Sequence, residues 1–164
     1  MKTFAHGPHV LAFTKVHLPG GWLGNMAPFP VEHDGETYRT TEALFQALRF
    51  HDPAVRAAIR AQPSPMSAKM VAKRHLRNPS ALRYPPRSPA DLAAMRYCLQ
   101  LKLAHHPALV DALRATGDRL IVEDATRRRG ASAQFWGGQL GADGVWRGGN
   151  NLGVLWMELR NDLK

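Results

Sequence analysis

Helix starts along this chain are marked by a capping residue placed directly before a proline. The pairs are Asp52-Pro53, Ser64-Pro65 and Ser88-Pro89, and Pro107 marks a fourth start. Proline suits the first helical position because an amide there would be unpaired in any case, and the oxygen of the preceding side chain accepts from the free amides that follow. We therefore predict four helices. The first three end near residues 61, 75 and 103, and the fourth ends at Gly117, the glycine that follows its last turn.

Two further helices are predicted from polar caps without proline. Either residue of Thr40-Thr41 can cap a helix that runs to about Phe50, and either residue of Asn150-Asn151 can cap a last helix from Leu152 to about Leu163. The first of these helices has an apolar stripe at helical spacing. Helix therefore predominates in the predicted fold.

The predicted strands are short. Proline and glycine interrupt the N-terminal third, and residues 29–38 have the form of a hairpin around Asp34-Gly35, since glycine accepts the positive φ of such turns. Leu120–Glu123 is predicted as a buried strand, and the glycine-rich residues 124–149 as a long loop. The fold class is therefore α+β, mainly helical, with a small N-terminal β-hairpin or sheet.

Composition fits one domain. A chain of 164 residues with 45% hydrophobic content can bury a core, so we expect a single domain over 1–164, with 1–21 as an irregular or strand-forming segment. The single cysteine, Cys98, excludes an internal disulfide and a cysteine-based zinc site. No run reaches the roughly 18 apolar residues of a membrane helix, and the first residues lack a signal peptide's apolar block. We expect a cytoplasmic protein without a membrane partner.

The charge balance points to anionic partners. A formal net charge of +9 attracts polyanions or phosphorylated small molecules, although an uninvolved basic surface is an equal alternative. Lys69 and Lys73 lie four residues apart, where a phosphate would relieve their repulsion, as solvation also would. Gly148-Gly149-Asn150 gives the last helix an unobstructed start that favours anions. The run Arg127-Arg128-Arg129 would suit a nucleic acid.

Two acids are candidates for catalysis. Glu42, Gln46 and Arg49 share one stripe of a helix, and Glu123 ends the predicted buried strand, where the pKa of an acid tends to rise. The alternatives are a first-turn acid that favours the helix dipole and a solvated strand end. Trp136, between glycines and Phe135 in the predicted loop, is a candidate stacking surface for a planar base. No metal-ligand spacing, phosphate loop or nucleophile elbow is present.

Several blocks together resemble the NADAR, or YbiA-like, family. They are LGNMAPFP at 23–30, DGETYRTTEALFQA at 34–47, SPMSAK at 64–69 with Lys73, the strand ending at Glu123, Phe135-Trp136-Gly137, and the pattern Gly148-x-Asn150-x-Leu152-Gly153-x-x-x-Met157-x-x-Arg160. The blocks follow in family order from about residue 22 to residue 163. Their order and spacing carry the resemblance, which covers nearly the whole chain.

The resemblance implies an enzyme that hydrolyses the N-glycosidic bond of a ribosylated base, such as a ribosylamino-pyrimidine phosphate, without metal or cofactor. Cleavage develops positive charge at the anomeric carbon, so Glu42 would stabilise that charge and activate water. Glu123 would be the second acid, orienting water or protonating the leaving base. The implied substrate-binding residues are Trp136 for the base, Asn25, Gln46 and Asn150 for sugar or base groups, and Lys69 and Lys73 for phosphate.

Some positions depart from the family pattern. Family members commonly carry an acid where this chain has Ala133, a serine at Gly24 and a histidine at Ala43. Asp124 or Asp143 could replace the missing acid. Two alternatives therefore stay open: removal of ADP-ribose from guanine in nucleic acid, as described for other members, and a catalytically impaired module that binds nucleotides or nucleic acid.

Overall fold

The computed structural model describes all 164 residues, which divide into two compact units. One unit consists of Met1–Gly24 with Ala108–Lys164, and the other of Asn25–Pro107. None of the helices combines the length and apolar character that crossing a membrane requires. The elements in chain order are β1 (Lys2–Ala5), β2 (Val10–Phe13), β3 (Val31–His33), β4 (Glu36–Tyr38), α1 (Thr41–Leu48), α2 (Pro53–Arg60), α3 (Pro65–His75), α4 (Pro89–His105), α5 (Pro107–Ala115), β5 (Leu120–Glu123), α6 (Ala131–Trp136), β6 (Gly138–Leu140), β7 (Val145–Gly148) and α7 (Asn151–Asp162).

The unit Asn25–Pro107 is organised around α1. Every residue of α1 is buried, and the helix packs against α2, α3, α4 and the hairpin β3–β4. The predicted hairpin is confirmed: Asp34 and Gly35 have φ angles of 51° and 75°, the two positive values that a two-residue turn of this hand requires. The start of α1 is therefore held in the middle of a packed helical layer.

The predicted helix caps of this unit are confirmed. The side chains of Thr40, Asp52 and Ser88 each accept a hydrogen bond from an amide in the first turn of α1, α2 and α4. Ser64 forms a reciprocal capping box with Ser67 at the start of α3. These local bonds fix where the helices begin, and hence which residues face α1.

The other unit contains two small sheets. β1, β7 and β6 form an antiparallel sheet with β7 in the middle, and β2 pairs with β5 in parallel. α7 packs along β5. Residues 1–21 thus contribute β1 and β2, and the α+β class is confirmed. The single domain over residues 1–164 stays a prediction.

The predicted long loop at 124–149 is wrong. This segment contains α6, β6 and β7. A Cβ on Gly148 would overlap the carbonyl oxygen of Gly137, so these glycines allow two stretches of backbone to pack closely instead of loosening the chain. Trp146 is almost fully buried between the partly buried Val145 and the exposed Arg147, which is the pattern of a half-buried strand.

Candidate active site

Glu42 begins a buried chain of hydrogen bonds in the unit Asn25–Pro107. Gln46 Nε2 donates to Glu42 Oε1 at 2.8 Å, and Arg49 Nη1 donates to Gln46 Oε1 at 3.1 Å. Arg49 also donates from Nε and Nη2 to the two carboxylate oxygens of Asp91, each at 2.8 Å. Glu42 is only 7% exposed, and its predicted catalytic role stays a prediction.

Asn25 braces the start of α1. Its carbonyl accepts from the Glu42 amide at 3.0 Å, and its side-chain Oδ1 accepts from Thr41 Oγ1 at 3.1 Å. The Nδ2 group donates to Met95 Sδ at 3.2 Å. The side chain is therefore engaged within the protein, and the predicted contact of Asn25 with substrate stays a prediction.

Cys98 and Tyr84 lie near the same network. Burial, followed by the charges of Glu42 and Asp91, raises the pKa of the Cys98 thiol far above its usual range, as expected for an inert buried cysteine. Burial and the charge of Asp91 raise the pKa of Tyr84 to about 12. Both groups are therefore neutral near pH 7 and add no charge to the network.

Lys69 and Lys73 are both exposed on α3. No carboxylate forms an ion pair with either of them. The exposed side chains of Met66 and Met70 lie at adjoining helical positions. The two cations are thus available to an anionic group, and their predicted phosphate contact stays a prediction.

Glu123 is held at the carboxyl end of β5 in the other unit. Its amide donates to Asn150 Oδ1 at 3.1 Å, and its carboxylate Oε1 accepts from Arg128 Nη2 at 2.8 Å. The second carboxylate oxygen, Oε2, is buried and has no hydrogen-bond partner. The side chain is 15% exposed, which is less than the alternative of a solvated strand end would give.

Asn150 differs from its predicted role as a helix cap. It adopts a left-handed conformation with φ of 48° and makes no side-chain cap bond to α7. Its Nδ2 donates to the Ile121 carbonyl at 2.9 Å and its Oδ1 accepts from Glu123. Because both polar atoms of the side chain bind the β5 backbone, Asn150 fixes the strand that carries Glu123. Its predicted contact with substrate stays a prediction.

Trp136 lies at the end of α6 and is 8% exposed. The prediction that it lies in a long loop is therefore wrong. Its ring meets that of Phe135 edge to face, with 4.9 Å between centroids. Its predicted stacking on a base stays a prediction.

A separate hollow of about 580 Å³ opens beside the β6–β7 hairpin. None of the predicted catalytic or substrate-binding residues lines it, although Arg129 of the arginine run does. Arg147, one of its lining residues, binds Asp143 with two hydrogen bonds that hold the pKa of Asp143 at about 2. The full lining is Thr126, Arg129, Gly130, Gln134, Gln139, Leu140, Gly141 and Arg147.

Two charged residues that contact the candidate acids or their partners, Asp91 and Arg128, were not predicted to do so from the sequence. Asp91 follows the cap-proline pair Ser88-Pro89 and lies in the first turn of α4. An acid is favoured there by the helix dipole, so the sequence gives no reason to expect a further role. Arg128 belongs to the arginine run that was considered for nucleic acid. Asp91 pairs with Arg49, and Arg128 pairs with Glu123. Spacing along the sequence does not show either of these contacts. No group of three or more His, Cys, Asp or Glu side chains is placed to hold a metal ion.

Comparison with known proteins gives the family. Residues 12–164 match the NADAR domain. N-glycosidase YbiA of Escherichia coli K12 is 35% identical over 143 residues, which are 87% of this chain and 81% of that protein. An N-glycosidase of Nostoc punctiforme is 28% identical over 158 residues, covering 93% and 91% of the two chains.

The fold agrees with that relationship. The NMR structure of E. coli YbiA superimposes with a TM-score of 0.74 at 34% identity, over 94% of this chain and 84% of that one. Family match, curated relatives and solved structure all cover most of the chain. The chain therefore belongs to the NADAR domain family and is an enzyme of the glycosidase class, as its curated relatives are.

Proposed function

We propose that the chain hydrolyses the C–N glycosidic bond of a ribosylated base that carries phosphate, with a ribosylamino-pyrimidine phosphate as the type of substrate. The names of the curated relatives support cleavage of an N-glycosidic bond. The net charge of +9 and the unpaired Lys69 and Lys73 support a phosphorylated substrate. No metal or cofactor is part of this proposal.

Glu42 carries the proposal. When the C–N bond breaks, positive charge develops at the anomeric carbon, and a fixed carboxylate beside it lowers the energy of the transition state. Glu42 is buried, and one of its carboxylate oxygens is fixed by a hydrogen bond from Gln46. We assign to Glu42 the stabilisation of C1′ and the activation of water.

The remaining residues act around this step. Glu123 is the second acid, which orients water or protonates the leaving base. Trp136 stacks on the base, and Lys69 and Lys73 hold the phosphate. Asn25, Gln46 and Asn150 hold sugar or base groups in this proposal; since each of their amides is bonded within the protein, they also fix the elements that carry Glu42 and Glu123.

The test compares three substrates in parallel. Purified protein is incubated with a ribosylamino-pyrimidine phosphate, with DNA that carries ADP-ribosyl-guanosine, and with NAD, and mass spectrometry detects freed base or ADP-ribose. Release of pyrimidine from the first substrate supports the proposal. Release of ADP-ribose from DNA, with the pyrimidine nucleotide untouched, would contradict it.

One observation favours a second candidate, removal of ADP-ribose from guanine in nucleic acid. Arg127, Arg128 and Arg129 are consecutive and exposed, and Arg128 binds Glu123 directly. A polyanion that displaces counterions gives a steep fall of binding with salt, whereas a small phosphorylated molecule gives a shallow one. The slope of log K against log salt, with and without the substitution of these arginines by glutamine, separates the two candidates.

A further inference from the structure

The hollow beside the β6–β7 hairpin is lined by cations and not by acids. Its lining contains two arginines, Arg129 and Arg147, and no Asp or Glu side chain. Its volume of about 580 Å³ falls within the range of small-molecule sites, which is roughly 300–1,000 Å³. All of its lining residues belong to the compact unit that contains Ala108–Lys164. This unit therefore forms the hollow by itself, with room for a molecule of the size of a nucleotide.

The two arginines differ in how their charge is balanced. Arg147 donates to both carboxylate oxygens of Asp143, at 3.0 Å from Nη1 and 2.6 Å from Nη2. The pair packs directly over Gly141, where an added Cβ would lie 2.5 Å from Asp143 Oδ1. Arg129 is exposed, and no carboxylate forms an ion pair with it. The charge of Arg147 is thus offset within the protein, whereas the charge of Arg129 is available to an anion.

The other polar side chains of the lining offer both donors and acceptors. Gln139 Nε2 donates to the Arg128 carbonyl at 2.7 Å, so its side-chain oxygen is the atom that Gln139 can offer to a ligand. Thr126 Oγ1 accepts from the Leu140 amide at 2.9 Å, which leaves its hydroxyl proton to donate elsewhere. Gln134 adds an exposed amide. An acceptor in the same hollow as an unpaired guanidinium suits a ligand that carries hydroxyl groups near its anionic group.

The main chain on both sides of Arg129 is anchored. The Arg128 amide donates to the Ala125 carbonyl at 2.9 Å, and the Gly130 carbonyl accepts from the Gln134 amide at 3.2 Å. The Arg128 carbonyl is held by Gln139, as described above. Because this stretch is already ordered, binding an anion at Arg129 costs only the ordering of its side chain.

We propose that this hollow binds a nucleoside phosphate, with Arg129 as the main contact of the phosphate group. A guanidinium binds phosphate oxygens through two parallel hydrogen bonds, which gives both charge and geometric fit. Gln139 accepts from a sugar hydroxyl, Thr126 donates to the phosphate or the sugar, and Gln134 binds the sugar or the base. The nucleoside phosphate is either a free molecule or part of a nucleic acid strand. The inference does not depend on the proposed function, since none of the residues assigned to the reaction lines the hollow.

The direct test is an NMR titration of ¹⁵N-labelled protein with adenosine 5′-monophosphate. Binding should shift the amide signals of Gly130 and Gly141, which both line the hollow, whereas adenosine, which lacks the phosphate, should leave them in place. We expect Arg129→Gln to raise the Kd at least about tenfold, because a charge-assisted contact is lost. Arg129→Lys keeps the charge but loses the planar fork, so it should restore part of the affinity.

Arg127→Gln is the matched control. Arg127 is exposed in the same arginine run but does not line the hollow, so this variant should bind adenosine 5′-monophosphate as wild type does. Equal losses of affinity in Arg127→Gln and Arg129→Gln would show an effect of overall charge and would overturn the inference. Arg129 is exposed, and the amide spectrum of each variant verifies that it is folded.

A single-stranded DNA oligonucleotide identifies the source of the phosphate. Shifts at Gly130 and Gly141 that weaken steeply with salt indicate a nucleic acid strand, and a shallow dependence indicates a free nucleotide. If neither adenosine 5′-monophosphate nor DNA moves these signals, the inference is overturned. Glu42→Gln should show the same shifts as wild type, so a failure of this site and a failure of the proposed function are observed separately.

Discussion

The Gln46 amide is fixed between Glu42 and Arg49. Arg49 can only donate, so Gln46 Oε1 must face it and Gln46 Nε2 must face Glu42, at 2.8 Å. Asp91 in turn fixes the Arg49 guanidinium through two hydrogen bonds. The Arg49–Asp91 pair therefore fixes Gln46, and Gln46 in turn fixes the Glu42 carboxylate at the start of α1.

Gln46→Met tests whether this bond matters for catalysis. Methionine keeps the volume of the side chain but removes the donor to Glu42 and the acceptor for Arg49. We expect kcat to fall about tenfold, equivalent to ~1.4 kcal/mol, because Glu42 loses its fixed orientation. Gln62→Met is the control, since Gln62 binds only the Ala58 carbonyl at the end of α2. Equal kcat values for the two variants would contradict the role of Gln46.

Asp91→Asn tests the buried charge pair. Arg49 and Asp91 are both buried, and breaking such a pair leaves an uncompensated charge, which costs about 3–5 kcal/mol of the free energy of unfolding. The exposed pair Asp111–Arg114 provides the control, where Asp111→Asn should have little effect because solvent screens the pair. Denaturant unfolding measures both, and equal midpoints in the two variants would refute the buried pair's importance.

Much of the helical part of this fold could be predicted because its signals are local. Asp52, Ser64 and Ser88 each cap the helix that follows within three residues, and the turn at Asp34-Gly35 depends on two φ angles. The error at 124–149 has a different cause. In the sequence, glycines that let two strands pack closely cannot be told apart from glycines in a loop. Only the contact with a segment distant in sequence, such as that of Gly148 with Gly137, distinguishes them.

The candidate sites could be predicted only in part for the same reason. Glu42 and Gln46 lie one helical turn apart, so their contact follows from spacing. Asp91 lies 42 residues from Arg49, and Asn150 lies 27 residues from Glu123. Such contacts depend on tertiary packing, so spacing along the sequence does not show that Asp91 fixes Arg49 or that Asn150 fixes the strand of Glu123.

Gly153→Ala tests the bracing of β5. A Cβ at this position would collide with the Ile121 carbonyl and the Asn150 side chain, both of which hold the strand that ends at Glu123. We expect a loss of stability of about 1–3 kcal/mol, typical of overpacking, together with reduced turnover. Asn161→Ala, on the exposed part of α7, should behave like wild type. Thermal unfolding compares them, and a Gly153→Ala protein as stable as the control would contradict this packing.

Replacement of both Lys69 and Lys73 by glutamine tests the phosphate contact. KM for a phosphorylated substrate should rise about tenfold or more because two charge-assisted contacts are lost, while kcat stays nearly unchanged. Arg74→Gln removes a neighbouring exposed charge from another face of α3 and serves as the control. If both variants raise KM equally, the effect comes from overall charge and not from these lysines.

The buried Lys102 predicts a pH dependence of stability. Burial lowers the pKa of Lys102 from 10.5 to about 7, so between about pH 7 and 10 the unfolded chain binds more protons than the folded one. The free energy of unfolding should therefore rise with pH across this window. Lys102→Met should rise less steeply, and Lys15→Met, at an exposed position, should follow wild type. Urea titrations at pH 7 and 9.5 measure these slopes, and equal slopes in all three proteins would contradict the shift.

The most direct measurement is base release by Glu42→Gln. This substitution keeps the size of the side chain and its contact with Gln46 but removes the negative charge. With the variant shown to be folded, mass spectrometry of released pyrimidine should show a fall in turnover of at least about 100-fold, while Glu32→Gln, at an exposed position on β3, should match wild type. Undiminished base release by Glu42→Gln would contradict the assignment of this carboxylate to the reacting carbon.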